Sequence, residues 1–124
     1  MSRLAIKGVL LFGIAIGDSV HKDFELLLIT VRGEMAASAI LATEYPDFDE
    51  LDGVSQVIIK RAAYLSQMLV KVGDLDEITL DMILNLNPDD FEILSDSEMI
   101  LRKKLLGSSL PPDQTPQLQQ IETG

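Results

Sequence analysis

Between Ile78 and Leu106 the chain reads ITLDMILNLNPDDFEILSDSEMILRKKLL, and this stretch constrains the fold more than any other. Thr79 is placed to cap a first helix carrying Leu80, Ile83, Leu84 and Leu86. Asn87 then offers a side-chain oxygen at the next N-cap, and Pro88 falls at the first helical position, where a missing N–H costs nothing. Asp89, Asp90 and Glu92 follow in the first turn, Arg102, Lys103 and Lys104 crowd the expected last turn, and Gly107 is placed to close the helix. That distribution complements the helix dipole. The pattern predicts two helices with an acidic entrance and an apolar face. Ser95-Asp96-Ser97-Glu98 also fits a capping box, which predicts a kink or restart within the second helix.

Upstream, Val54–Val72 keeps a three-to-four spacing through Val54, Ile58, Ala62, Leu65, Leu69 and Val72, the strongest helical signature in the chain. Val57, Ala63, Tyr64 and Met68 form a second stripe, so the apolar face is wide and the segment should lie at the centre of the core. Thr30 is a candidate N-cap for a helix over Val31–Ala42, whose Ala36-Ala37-Ser38-Ala39 run lets a neighbour approach closely. Glu44–Gly53 reads as an acidic loop broken by Pro46.

The first 30 residues carry a different period. Val9–Ile16 is bulky and β-branched, Gly17-Asp18-Ser19 is a turn cluster, and Phe24, Leu26 and Leu28 alternate along Val20–Ile29. These features predict a β-hairpin. A lone hairpin is marginal in water, so one face should rest on helices. The fold class expected is therefore α+β, an N-terminal β-hairpin packed on a small bundle of about four helices. At 124 residues the chain accommodates one domain, expected over 1–107. Residues 108–124 hold three prolines and four glutamines and are expected to form a disordered tail. Arg3 and Lys7 before an apolar run give a faint likeness to a secretory leader, but Gly13 interrupts that run and a strand partner follows it. The N-terminal segment is expected to stay in the mature protein as a strand.

Composition narrows the function. Twenty acids against ten bases leave a net charge of −10, which opposes contact with a phosphate backbone. No apolar stretch approaches the roughly 20 residues a membrane span needs. Cysteine is absent, which removes thiol catalysis, disulfides and cysteine-ligated zinc. His21 is the single histidine and reads as an exposed residue beside the hairpin turn. Asp47–Gly53 has the flavour of a calcium loop, yet Leu51 and Ile58 stand where ligands are required, and Asp74–Glu77 fails likewise. Gly8, Gly13 and Gly17 match no phosphate-binding fingerprint. No catalytic, cofactor or metal site is expected.

The order of elements resembles the small tail assembly chaperones of long-tailed phages, particularly the Mu-like group. The likeness spans about residues 9–106 and rests on the hairpin leading through Leu28-Ile29-Thr30-Val31 into a helix, the long aliphatic helix, and the Ile83, Leu86, Asp90, Leu94 rhythm of the final pair. The resemblance implies a non-enzymatic protein of the host bacterial cytoplasm that binds the tape measure protein, a long helical polypeptide, and keeps it soluble during tail assembly. Its partner surface is expected on the last helix pair, with Ile83, Leu86, Phe91, Leu94 and Leu101 as apolar contacts and Asp89, Asp90 and Glu92 orienting a basic flank. Met35, Met68, Met82 and Met99 suit either an adaptable surface of this kind or the core. An alternative from another class is an acidic DNA-mimic inhibitor that occupies a nucleic-acid-binding protein. Steep salt dependence of partner binding would mark the mimic, and shallow dependence an apolar surface.

Overall fold

The structure, a computed structural model, describes residues 4–109. A three-stranded antiparallel sheet of order β1-β2-β3 is built from Ile6–Ile16, Ser19–Leu26 and Leu69–Val72. Four helices accompany it: α1 Val31–Glu44, α2 Gly53–Met68, α3 Leu80–Leu84 and α4 Pro88–Ser109. A single 3-10 turn, Phe48–Glu50, lies in the acidic loop. The α+β architecture expected from the sequence is the one found.

β1 and β2 meet at a two-residue turn, Gly17-Asp18, with Ile16 opposite Ser19. Beyond it the register runs from Ile14↔His21 to Val9↔Asp23, so residues 10–13 of β1 stand against residue 22 alone. This is a large bulge. It leaves Leu10 and Ile14 buried on the inner face beside Phe24 and Leu26, while Leu11 and Phe12 are pushed outward and exposed. Gly13 lies in the bulge at φ +82°, a conformation that L side chains rarely adopt, and an added Cβ would stand 2.6 Å from the His21 carbonyl oxygen.

The third strand is a departure from the sequence reading. Leu69–Val72 was expected to extend the long helix, but α2 ends at Met68 and the chain passes straight into β3, pairing Glu25 with Lys71 and Phe24 with Val72. Leu65, Leu69 and Val72 fit a helical stripe equally well. What decides is β2, whose second edge would otherwise lack a partner; the Leu27 N–H donates to the Met68 carbonyl at 2.9 Å, right at the junction. Gly73-Asp74 then reverses the chain, with Val72 and Leu75 exchanging two backbone hydrogen bonds of 2.9 Å. His21 is half-buried over this turn, its Nδ1 accepting the Asp74 N–H at 3.2 Å, so it joins two parts of the fold instead of standing free in solvent.

The caps are local and follow the sequence. Thr30 Oγ1 accepts the Gly33 N–H at 3.0 Å, Thr79 Oγ1 that of Met82 at 3.2 Å, and Asn87 Oδ1 that of Asp89 at 2.9 Å. Asp52 caps α2 by accepting from the N–H and the hydroxyl of Ser55, and these bonds hold its carboxyl below the ordinary aspartate value. Two expectations for the last helix do not hold. The Ser95–Glu98 box starts nothing, because α4 is continuous there and the Ser97 hydroxyl donates back to the Ile93 carbonyl at 2.7 Å. Gly107 does not close the helix, which runs to Ser109; a glycine permits a left-handed stop without compelling one. The expected tail therefore begins inside the last turn of α4, and 110–124 lie outside the described residues.

α1 and α3 pack against α2, and α4 packs on β1. Ala37 of α1 and Ala62 and Ala63 of α2 are fully buried, small residues that let these helices approach closely. Leu65, Met68, Leu80, Ile83, Leu94 and Leu101 complete an aliphatic core in which Phe24 is the one buried aromatic among the described residues. The N-terminal turns of α2 escape it: Val54, Val57 and Ile58, expected in the core stripe, are exposed.

Candidate functional site

The residues expected to contact a partner divide sharply. Ile83 and Leu101 are 1% exposed, Leu94 and Asp90 0%. Asp90, Leu94 and Leu101 are enclosed and, as folded, present no surface, and Ile83 reaches one only as the wall of a groove. Leu94 and Leu101 recur seven residues apart on α4, and that spacing keeps both on the side turned to the rest of the core. Leu86 and Phe91 are half-buried, and Asp89 and Glu92 are exposed.

Three of the eight nevertheless meet in one place. Ile83, Leu86 and Phe91 line an apolar groove of about 250 Å³, together with Ile58, Leu84 and Pro88. The last three were not singled out from sequence as contact residues. α3 is only five residues long, and the Asn85-Leu86-Asn87 link turns the chain back so that the start of α4 and the end of α3 face Ile58 on α2. Asn85 steadies this turn, its side-chain amide donating to the Asp81 carbonyl at 2.9 Å. The signal available in advance was the width of the α2 stripe, which runs on through Val57 and Ile58 beyond the residues that α2 buries. Asp89 and Glu92 lie exposed on the first turns of α4, next in sequence to Pro88 and Phe91 of the lining. The site therefore offers an apolar floor and an acidic margin.

Asp90 has a different task. Its Oδ1 accepts the Leu11 N–H at 2.6 Å, and its Oδ2 accepts from Phe12 at 3.1 Å and Gly13 at 2.9 Å. The bulge frees three consecutive donors from the β1–β2 ladder, and a carboxylate 77 to 79 residues away takes them up. The residue expected to orient a partner instead fastens α4 to β1.

A second groove, of about 340 Å³, lies between the α1, α2 and α4 helices and is lined by Val57, Lys60, Arg61, Tyr64, Glu98 and Arg102 among others. Glu98 is buried and binds Arg102, whose Nε donates to Oε2 at 2.9 Å; this is the one ion pair among the described residues. No cluster of three or more acidic or histidine side chains among the described residues is placed to hold a metal. No described helix is long and apolar enough to cross a membrane. No family model matches the chain, and no curated protein or solved structure does.

Proposed function

We propose that this chain is a tail assembly chaperone of the kind found in long-tailed phages, a non-enzymatic protein of the bacterial cytoplasm that holds a segment of the tape measure protein. The observation that carries the reading is the apolar groove of Ile58, Ile83, Leu84, Leu86, Pro88 and Phe91, which includes Ile83 and Leu86 of the motif behind the resemblance. An amphipathic helix laid into such a groove buries one apolar face and leaves its polar face in water. Burying a Leu or Phe contributes about 1.5–3 kcal/mol, whereas an exposed ion pair contributes about 0–1 kcal/mol. Apolar contacts therefore set the affinity, and Asp89 and Glu92 set the polarity of the segment.

The test is co-expression with the tape measure protein, scoring how much of it stays soluble. Leu86→Ala and Phe91→Ala are compared with Asp89→Asn, and thermal unfolding confirms that each variant remains folded. Loss of solubilisation with folded Leu86→Ala and Phe91→Ala, and little change with Asp89→Asn, is the expected result. Full solubilisation by both folded apolar variants would remove this groove from the binding site. Binding that collapses with salt and ignores the apolar changes would instead favour an acidic mimic of nucleic acid.

A further inference from the structure

The groove between α1, α2 and α4 is a second site, and its lining carries a small positive excess, three bases against two acids. Three of the ten basic residues of a chain of net charge −10 line it: Lys60, Arg61 and Arg102. Its lining carboxylates are Glu34 and Glu98, and Glu98 is already committed to Arg102. Lys60 and Arg61 have no acidic partner among the described residues. Two of the cations already have a contact before anything binds. Lys60 Nζ lies 5.9 Å from the centre of the Tyr64 ring, and the buried Glu98 carboxylate fixes the Arg102 guanidinium while leaving its side chain 54% exposed. Between them the floor is apolar, with Val57 63% exposed and Leu65 and Met68 beneath. Along α2 the lining runs from Val57 to Met68, roughly 16 Å or three helical turns.

We infer that this groove docks an acidic amphipathic helical segment of a partner protein, its apolar side on Val57 and Met68 and its carboxylates on Lys60, Arg61 and Arg102. Charge complementarity selects the occupant. A long polyanion would meet the repulsion of the whole acidic surface, whereas a short acidic segment responds to the field within about 8 Å, the screening length at physiological salt. A basic segment would face two cations, Lys60 and Arg61, against the single unpaired carboxylate of Glu34. Holding Arg102 beforehand lowers the ordering cost of receiving carboxylates. The inference is independent of the tail-assembly reading, because the two grooves share no lining residue.

The probes are two fluorescent, end-blocked 18-residue helical peptides with leucines at the same i, i+3, i+4, i+7 positions, one carrying Glu and the other Lys on the remaining faces. Binding to the full chain is read by anisotropy, and the contact surface by amide chemical shifts. The acidic peptide should bind at least tenfold more tightly than the basic one, shift amides over 57–68 and 98–102, and weaken as salt rises. Lys60→Glu/Arg61→Glu, both exposed positions, should weaken it at least tenfold; Lys60→Ala/Arg61→Ala serves as a milder check, and thermal unfolding verifies both. Phe91→Ala should leave this binding unchanged, which separates its failure from failure of the tail-assembly reading. Equal binding of the two peptides, no binding of the acidic one, unchanged affinity in the folded charge variants, or shifts confined to 83–91 would each overturn the inference. So would a dimer in sedimentation that Lys60→Glu/Arg61→Glu converts to monomer, since the occupant would then be a second copy.

Discussion

Removing the Asp90 carboxylate tests how the helices are joined to the sheet. Three backbone donors, those of Leu11, Phe12 and Gly13, converge on its two oxygens at 2.6 to 3.1 Å. Hydrogen bonds to a charged group contribute about 1.5–3 kcal/mol each, and desolvating the carboxylate offsets several kcal/mol of that sum. Asp90→Ala leaves all three donors without a protein acceptor. These bonds are part-buried, so water can replace some of them, which limits the loss, and the expected destabilisation is about 2–4 kcal/mol. Asp90→Asn keeps one acceptor oxygen but turns an NH2 group toward the remaining donors, and about 1.5–3 kcal/mol should be lost. Urea unfolding gives the free energies, and amide hydrogen exchange gives their location. Exchange at residues 11–13 should accelerate in both variants well beyond the change at Leu26, at the far end of the β1–β2 ladder. A loss under about 1 kcal/mol in Asp90→Ala, or unchanged protection at 11–13, would refute the anchoring role.

Leu94→Ala should cost about 2–5 kcal/mol in urea unfolding, as a fully buried leucine does, while Glu92→Gln stays within about 0.5 kcal/mol. Gly73→Ala should destabilise by more than about 1 kcal/mol, because φ is +59° and the new Cβ would stand 2.5 Å from His21 Nδ1. Adding His21→Ala should recover only part of this, since the backbone strain and the 2.6 Å approach to the Cβ of residue 21 both remain; full recovery would show that the imidazole contact alone matters. The Asp52 carboxyl titrates below the ordinary aspartate value of 3.8, so its contribution to α2 is present above that value and is lost as pH falls through the lowered one. In an NMR titration the Ser55 amide should follow this low transition, and Asp52→Ala should abolish it.

The parts of the fold legible in the sequence are those governed by neighbours a few residues away. Thr30, Thr79 and the Asn87-Pro88 pair cap helices through contacts within three residues, so their meaning survives without any tertiary context. β3 was not legible, because Leu69-Val70-Lys71-Val72 suits either period and the free edge of β2 is a fact about residues more than 40 positions earlier. The site was half legible. Apolar spacing identified Ile83, Leu86 and Phe91 but does not distinguish a groove wall from a core, so Leu94 and Leu101 were grouped with them. Asp90 looked like its neighbour Asp89 on the same helical turn. Only the bulge, whose donors appear once β1 is paired, sets the two apart.

The tie between Asp90 and Leu11–Gly13 also has a meaning in time. A chain made from its N-terminus at about 5–20 residues per second makes the donors of residues 11–13 about 4 to 16 seconds before the residue that receives them. The hairpin turn itself closes within microseconds, so throughout that interval β1 and β2 can pair on both sides of a bulge that nothing secures. Leu11 and Phe12 are held at their final positions only when the first turn of α4 arrives, which makes the last helix the step that completes the first strand.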